Sequence, residues 1–458
     1  MAVYFRKEVV PVIRSLWTGA AGLVGHQTYL DVLGNNVSNI NTVGFRQGSP
    51  RFEDLLFSTE REATGPGGGI GGVSPLQVGH GTLVQAIDII HSQGPVVPTG
   101  IPSNLAINGA GYFVVQSGDQ ELYTRAGNFV VDGLGRVVQS GTGAFLLGVP
   151  AVGGVIPENP GALAPIQLPT LPAPGEAPGP GYEIPPRATG EVTFRCNLDK
   201  NAAAGDSHET SIVMYDPLGG SHSLRVTWTP QVDPTTGDKI PNAWHWQAFL
   251  DDAPTPVGEG DLAFRGVADP DSGAPAGTVI ADGTERPSLS LTFPPDPQGV
   301  IPDPASVVLD FGGGGNPLDG VTQYGSPSTT RALTQDGYSR GYYEGFSVGS
   351  DGTLVGYYSN DVMLPLYRIP MATVRNPMGL QAEGENNFSL SSNSGSVGYV
   401  FPGTQDMGTF VGGAVEMSNM DAAAAFTELI VAQRSYQANA RIVTTSDRFL
   451  QVGIELRK

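Results

Sequence analysis

The chain has 458 residues, with 44 Asp or Glu against 24 Lys or Arg, so its formal net charge is −20. This acidity argues against a nucleic-acid backbone or an anionic membrane as partner. No apolar run reaches the roughly 18–20 residues of a membrane-spanning helix, so no membrane insertion is expected. The single cysteine, Cys196, excludes an intrachain disulfide and a multi-cysteine metal site.

A first helix is predicted over 15–40, where apolar side chains recur every three or four residues. These apolar positions are Leu16, Leu23, Leu30, Leu33, Val37 and Ile40. Glycines interrupt the same stretch, and each costs about 1 kcal/mol relative to alanine, so the helix is marginal by itself. Residues 1–14 are basic and then briefly apolar, but the apolar run is too short for a signal peptide and no cleavage site follows.

A second helix is predicted over 421–456, preceded by Ser418 and Asp421 at the S-x-x-D spacing of a capping box. Its apolar stripe consists of Phe426, Leu429, Tyr436, Val443, Leu450 and Ile454. At about 1.5 Å per residue this helix would be roughly 54 Å long. A narrow stripe of that length is typical of a coiled-coil seam, so the helix is expected to need a partner helix.

The two striped helices lie at opposite ends of the chain, and two arrangements could bury their stripes. They could form an antiparallel pair within one chain, or they could enter a helical layer built from several chains. Small residues suit a place where several helices crowd together, so the glycines of the first helix favour the second arrangement. We therefore expect a coiled-coil-like inner layer, with the two stripes as the seam between chains, that includes 1–45 and 414–458.

Between the helices, the sequence predicts a mainly β, multidomain fold, because its 64 glycines and 38 prolines indicate many short strands and turns. Alternation with a period of two includes the hairpin turn Asp132-Gly133 and resumes near Tyr338. Two halves of one β-domain are therefore expected to flank an inserted β-domain. The expected ranges are 46–75 for a glycine-rich connector, 76–150 and 334–413 for the two halves, and 151–333 for the inserted outer domain with its Pro/Gly-rich linker.

Several motifs that could carry chemistry occur outside the context they need. The run 67–72 matches G-x-G-x-x-G, but no strand precedes it and no helix follows. Ser347 matches the serine of G-x-S-x-G, yet it lies in alternating strand sequence. The histidines lack metal-ligand spacing. Trp244-His245-Trp246 could stack on a sugar, although alternating aromatic residues favour core packing. We expect no enzyme activity, no metal and no cofactor.

The ends of the chain carry recognisable motifs. These motifs are GNNVSNINTVGFR at 34–46, GAVEMSNMD at 413–421 and IVAQRSYQANA at 430–440. The first resembles the N-terminal signature of the bacterial flagellar axial proteins (rod, hook and hook-associated subunits), and the other two resemble the hook proteins in particular. The residues taken as the family signature are Asn35, Asn36, Asn39, Gly44, Phe45, Gln433, Arg434 and Tyr436. Arg46 stands where the family usually has lysine, and residues 1–12 precede the usual start.

The resemblance implies a structural subunit that polymerises into the flagellar hook, the curved tube that transmits torque from rod to filament. The terminal helices would form the inner tube, the split β-domain the middle layer and the insertion the outer surface. The implied partners are other copies of the chain and the rod, hook-cap, hook–filament junction and export proteins. The implied location is the extracellular hook, reached through the flagellar type III apparatus without a cleaved signal peptide.

Other functions stay open from the sequence. A distal rod subunit resembles both ends of this chain but lacks a large insertion such as 151–333. A secreted β-rich adhesin would be expected to carry a signal peptide or an anchor, and a hydrolase would use Ser347. Some spirochete hooks are cross-linked between a cysteine and a lysine, so Cys196 and Lys200 are candidates for such a link, whereas a lone cysteine on a strand is usually inert.

Overall fold

The computed structural model describes residues 2–65, 71–152, 154–170, 179, 181–251, 253–270, 273–280, 285–293, 304–312, 320–404 and 407–456, with side chains from residue 14 onward except at 331 and 332. Helix α1 covers Ala2–Ser38 and helix α2 covers Ala422–Glu455. The described residues between them form strands, turns and a short 3-10 helix at Pro377–Gly379. The predicted mainly β fold with a helix at each end is therefore confirmed. Neither α1 nor α2, in the residues described, is apolar enough over sufficient length to cross a membrane.

The strands are short and follow one another along the chain. Before residue 169 they are β1 Gly48–Asp54, β2 Phe57–Arg61, β3 Leu76–Gly79, β4 Thr82–Ile89, β5 Val96–Pro98, β6 Leu105–Asn108, β7 Phe113–Ser117, β8 Gln120–Thr124, β9 Phe129–Val131, β10 Val137–Gln139, β11 Phe145–Pro150 and β12 Ala164–Pro165. The next are β13 Glu183–Ile184, β14 Glu191–Asp199, β15 His208–Tyr215, β16 Ser221–Val232, β17 Lys239–Leu250, β18 Gly258–Ala263, β19 Ser288–Leu291, β20 Ala305–Asp310, β21 Thr322–Tyr324 and β22 Thr329–Gln335. The last are β23 Gly341–Val348, β24 Thr353–Tyr358, β25 Met363–Arg368, β26 Met371–Val374, β27 Gln381–Gly384, β28 Asn387–Ser389, β29 Val397–Val400, β30 Thr409–Gly412 and β31 Ala414–Glu416.

The chain folds into two compact units, and the sequence of unit 2 interrupts that of unit 1. Unit 1 contains Met1–Leu168, Phe346–Gly356 and Leu364–Lys458, and unit 2 contains Pro169–Gly345 and Tyr357–Met363. Both terminal helices belong to unit 1.

The two helices differ in detail from the prediction. Helix α1 begins well before residue 15, and it ends at Ser38 rather than Ile40. Helix α2 has Asp421 as its N-cap, and the Asp421 carboxylate accepts hydrogen bonds from the backbone N–H groups of Ala423 and Ala424. The predicted capping box is therefore wrong, because Asp421 itself stabilises the free N–H groups at the helix start.

The central sheet of unit 1 surrounds an aromatic core. Its strands run in the order β25–β11–β7–β8–β28–β27. The Phe113 ring lies 5.3 Å from the rings of both Phe129 and Phe410, and all three side chains are buried. Strand β30 pairs with β6, and β31 pairs with β5, both antiparallel. The segment just before α2 is therefore held by backbone hydrogen bonds to strands from the N-terminal part of the unit.

Two sheets of unit 2 share a core that contains aromatic side chains. One has the order β15–β16–β17–β18, and the other has β19–β20–β14–β21 with β22 paired to β14. Trp244 and Trp246 alternate with half-buried positions along β17 and are both buried, as are Trp228 and Phe311. The predicted packing role of Trp244 and Trp246 is confirmed.

Two predicted connecting segments contain ordered strands. The expected connector 46–75 contains β1 and β2, which pair with β4 and β3 just after it. Much of this segment is therefore β-strand. Part of the glycine run 67–72 lies outside the described residues. Within the expected linker, Ile166 and Leu168 are buried in the core of unit 1. Unit 1 therefore extends to Leu168 rather than ending at 150, because apolar side chains hold this proline-rich segment.

Candidate assembly surface

Helices α1 and α2 pack against each other as an antiparallel pair within one chain. The Ser15 and Ser446 hydroxyls are 2.8 Å apart, and the Tyr29 hydroxyl donates to Glu428 at 3.4 Å. The intramolecular pair, one of the two arrangements that the sequence allowed, is therefore present, and a layer of several chains stays a prediction. The structure buries one side of each helix internally and leaves the rest of the surface available.

The glycines of α1 are the reason the pair can form so closely. A Cβ atom placed on Gly22 would lie 2.7 Å from Oδ1 of Asn439, and one placed on Gly19 would lie 3.0 Å from Val443. A Cβ on Gly25 would lie 3.2 Å from the Phe52 ring. The glycines therefore lower the intrinsic stability of α1 but let α2 and β1 approach its backbone.

The predicted seam residues fall into three classes of exposure. Leu33 is buried within the chain. The half-buried members are Leu16, Leu23, Leu30, Val37, Ile40, Leu429, Val443 and Leu450. Phe426, Tyr436 and Ile454 are exposed. The face of α2 turned toward α1 contains Val443 of the predicted seam together with the small buried residues Ala425, Ala432 and Ser446. One predicted seam residue, Val443, thus lies against Gly19 of α1, and the predicted role of the stripe as a seam between chains stays a prediction.

The N-terminal signature residues hold the end of α1 to the strands that follow. The Asn36 side chain is buried, donates to the carbonyl of Gly48 at 2.8 Å and accepts from the Gly48 N–H at 2.9 Å. The Asn39 amide donates to the Asn35 carbonyl at 2.9 Å and closes the last turn. Asn36 therefore fixes the start of β1 against the helix.

A cleft of about 640 Å³ lies between the C-terminal part of α1 and the hairpin of β27 and β28. Four of the signature residues, Asn35, Asn36, Asn39 and Phe45, line it, together with Asn387 and Phe388 of the hairpin. The Asn386 amide donates to the Val43 carbonyl at 2.8 Å, so the hairpin is tied to the loop after α1.

Gly44 is required by its backbone conformation and by its neighbours. Its φ of 71° lies in the left-handed region that favours glycine. A Cβ atom at this position would lie 2.5 Å from the backbone nitrogen of Ala126. The Gly44 N–H donates to the Glu416 carbonyl at 2.8 Å, so the chain makes this turn directly against β31.

A buried cluster of charges lies beside this turn. The Glu416 carboxylate is completely buried and accepts from Arg46 at 2.7 Å, from Arg125 at 3.3 Å and from the N–H of Gly94 at 2.8 Å. Arg46 follows α1, Arg125 follows β8 and Glu416 precedes α2, so one carboxylate joins three parts of unit 1. A buried charge of this kind must be paired to be tolerated.

Arg46 is therefore more than a substitute for lysine that keeps the charge. Its side chain is buried and is aligned with a carboxylate that a second guanidinium also engages. Sequence reasoning identified Arg46 but missed Glu416 and Arg125 as its partners. The available signal was a glutamate in the otherwise apolar strand β31, inside the motif at 413–421.

His91 and Tyr112 lie next to this cluster. The Tyr112 hydroxyl and Nδ1 of His91 are 2.9 Å apart, and the Arg125 guanidinium lies 5.3 Å from the Tyr112 ring centroid. Burial, followed by the charge of Arg46, lowers the pKa of His91 to about 4. The imidazole is therefore neutral at pH 7 and adds no further positive charge.

The C-terminal signature residues show a different environment. Gln433, Arg434 and Tyr436 all lie on the exposed surface of α2. The side chains of the N-terminal motif thus hold unit 1 together, whereas these three have no such role within the described part of the chain. Their exposure leaves them free to meet another molecule.

The remaining candidate residues lie in strands. Ser347 is within β23, and the next element is β24 rather than a helix, so the context of a nucleophile elbow is not met. Cys196 is buried in β14, and this burial raises the pKa of its thiol to about 12. Lys200 lies just beyond the same strand. Within the described residues, no cluster of three or more His, Cys, Asp or Glu side chains is arranged to hold a metal ion.

Family models match both ends and the middle of the chain. Residues 16–46 match "Flagella basal body rod protein", and residues 106–191 match "Flagellar hook protein FlgE/F/G D1 domain". Residues 187–338 match "Flagellar basal body protein FlaE D2 domain", and residues 411–456 match "Flagellar basal body rod FlgEFG protein C-terminal".

Similar proteins match over nearly the whole length. The flagellar hook protein FlgE of Treponema pallidum (strain Nichols) is 33% identical, and the match covers 98% of this chain and 100% of the relative. That of Borreliella burgdorferi is also 33% identical, with 97% and 100% covered. The crystal structure of Helicobacter pylori flagellar hook protein FlgE2 is similar with a TM-score of 0.47 and 14% identity, and the match covers 69% of this chain and 98% of that one. At this identity to the Treponema and Borreliella proteins, over essentially complete chains, the chain belongs to the flagellar hook protein family.

Proposed function

We propose that this chain is the structural subunit of the flagellar hook and that its copies polymerise into a curved tube between rod and filament. The observation that carries the proposal is the match to hook proteins from end to end, at 33% identity over 98% of the chain. The antiparallel pair of α1 and α2 supports it, because a long helix pair with exposed apolar side chains suits lateral contact between copies.

The layers of the tube follow from the same proposal. The helix pair, with 1–45 and 414–458, forms the inner tube. The β-domain halves 76–150 and 334–413 form the middle layer, and 151–333 forms the outer surface. The division of the chain into a helix-bearing unit 1 and an all-β unit 2 supports this assignment, although unit 1 extends to Leu168.

The partners follow from the position of the hook. Other copies of the chain are the main partner, and the rod, the hook cap and the hook–filament junction proteins contact the two ends of the tube. The subunit reaches the extracellular hook through the flagellar export apparatus without a cleaved signal peptide. The role is structural, so no side chain is assigned to catalysis.

A distal rod subunit is the second candidate, because the models that match residues 16–46 and 411–456 are named for rod proteins. The match of residues 187–338 to a D2 domain and the similarity to complete hook proteins favour the hook.

Electron microscopy of the purified chain after salt-induced assembly tests the proposal, with the Treponema pallidum hook protein as positive control. We expect tubes with a central channel that curve. If the control forms tubes under conditions where this chain stays monomeric, the proposed function is wrong. Straight tubes would favour the rod.

A further inference from the structure

The buried cluster around Glu416 contains more positive than negative charge. The guanidinium groups of Arg46 and Arg125 share the single carboxylate of Glu416, and these side chains are 1%, 6% and 0% exposed. His91 and Tyr112 lie beside them and add no charge at pH 7, because burial lowers the pKa of His91 to about 4 and raises that of Tyr112. Two cations against one anion leave an excess of one positive charge in the interior of unit 1.

This excess needs a counter-charge beyond the one that Glu416 supplies. Glu416 is the acidic side chain whose charge acts on both Arg125 and Tyr112. Asp31 and Glu385 line the neighbouring cleft, but both are exposed, so water and salt screen their charges. A buried charge without a counter-ion is strongly destabilising.

The same two arginines also have hydrogen-bond donors to spare. Arg46 donates from Nη2 to Glu416 at 2.7 Å, while its Nε and Nη1 are buried and have no partner among the described residues. Arg125 donates from Nη1 to Glu416 at 3.3 Å and from Nη2 to the Gly109 carbonyl at 2.9 Å, and its Nε is buried without a partner in the same part of the chain. Buried donors in folded proteins are nearly always paired, so these nitrogens call for an acceptor.

We propose that this cluster binds a small monovalent anion of the chloride class against the guanidinium group of Arg46. One such anion supplies a hydrogen-bond acceptor and cancels the excess charge. A water molecule would accept the hydrogen bonds but would leave the charge uncompensated. The site lies within unit 1 of a single copy, so the inference goes beyond the proposed function and does not depend on polymerisation.

The neighbouring cleft indicates which anions fit. Arg46 lines this cleft of about 640 Å³, which gives an anion a route from solvent to the cluster. The acidic side chains of Asp31 and Glu385 on the same cleft disfavour anions with several charges, such as sulfate or phosphate. Phe45 and Phe388 add apolar lining, which favours anions that lose their hydration shell easily. The expected preference is therefore for chloride and bromide over fluoride and sulfate.

Urea denaturation of the full-length monomer tests the site. Sodium gluconate, whose anion is too large for the cluster, is replaced stepwise by sodium chloride at constant ionic strength, and sedimentation confirms that the chain stays monomeric. We expect the unfolding equilibrium constant of the wild type to fall at least about tenfold at about 100 mM chloride, because the anion binds the folded state.

Matched arginine-to-lysine variants separate the site from general salt effects. Arg46→Lys keeps the positive charge but removes Nε and Nη1, so it should lose most of the response to chloride. Arg51→Lys, at an exposed position, should respond as the wild type does. Arg125→Lys, which lacks the unpartnered Nε, replaces Arg46→Lys if that variant does not fold. Equal responses of the wild type and the folded cluster variant overturn the inference.

The order of anions provides a measurement that needs only the wild type. Sulfate stabilises proteins in general by being excluded from their surface, so a nonspecific effect would place sulfate above chloride and bromide. Binding at the cluster predicts the reverse order at equal ionic strength. If sulfate stabilises unit 1 more than chloride does, the inference is wrong. Neither result affects the proposed function, because the formation of tubes is measured separately by electron microscopy.

Discussion

Arg46 and Glu416 form a fully buried ion pair at 2.7 Å although 370 positions separate them in the chain. Arg46 is the last residue of the motif at 34–46, and Glu416 is the last residue of β31, the strand before α2. The ion pair therefore connects the segment after α1 with the segment before α2. Arg125 shares the same carboxylate, so two guanidinium groups depend on one acid.

Replacing Glu416 by glutamine tests how much unit 1 depends on this carboxylate. Glu416→Gln keeps the shape but leaves Arg46 and Arg125 without a counter-charge in the interior. We expect a loss of about 3–5 kcal/mol in the free energy of unfolding, measured by urea denaturation. Asp88→Asn, which breaks the exposed pair with Arg51, is the control and should cost less than about 1 kcal/mol. Equal effects of the two variants would contradict a structural role for the buried cluster.

The pairing of the helices depends on glycine at particular positions. Gly22→Ala places a methyl group against Asn439, so it should cost about 1–3 kcal/mol. Gly34→Ala meets no atom within 4 Å and should instead stabilise α1 by about 1 kcal/mol, because alanine favours helix. Thermal unfolding followed by helical circular dichroism measures both. If both variants stabilise the helix equally, the close approach of α1 and α2 is incorrect.

His91 should make unit 1 sensitive to acid. Its pKa in the folded chain is about 4, below the ordinary value near 6.5, so the unfolded chain binds the proton more readily. Its contribution to stability is complete above about pH 6.5 and is lost as the pH falls toward 4. The free energy of unfolding of unit 1, measured by urea denaturation at several pH values, should depend less on pH in His91→Gln than in the wild type. Parallel pH curves for wild type and His91→Gln would rule out this assignment.

The thiol of Cys196 should be unreactive in the folded subunit. A pKa near 12 lowers the thiolate fraction at pH 8 roughly a thousandfold relative to an ordinary cysteine, and burial blocks access to the sulfur. Alkylation by iodoacetamide should be slow until denaturant is added. Val213→Cys, at an exposed position of the same unit, is the control that should react at once. Rapid alkylation of native Cys196 would show that β14 opens readily.

The sequence predicted those elements whose pattern is local. The alternation of Trp244 and Trp246 identified a buried strand because its period is two, and the helix near Ala422 followed from its cap and its alanines. The spacing of large apolar residues predicted only part of the contact face of α2. Its buried residues are small, and its close approach to α1 at Asn439 and Val443 depends on Gly22 and Gly19, more than 400 positions earlier in the chain.

The site at the end of α1 was recognised but not understood from the sequence. The motif containing Gly44 was evident, yet only the structure explains it, because the constraint comes from the Ala126 backbone and the Glu416 carbonyl. Contacts between residues so far apart in the chain produce no periodic pattern in the sequence. For the same reason Arg125 could not be connected with Glu416.

The distance in sequence between Arg46 and Glu416 also limits the order in which parts of unit 1 can fold. A chain delivered N-terminus first exposes Arg46 and Arg125 long before their shared carboxylate arrives. Strands β5 and β6 likewise wait for β31 and β30, which precede α2. Loop closure over such a span is slow. Unit 1 therefore cannot complete its fold until the segment just before α2 is present.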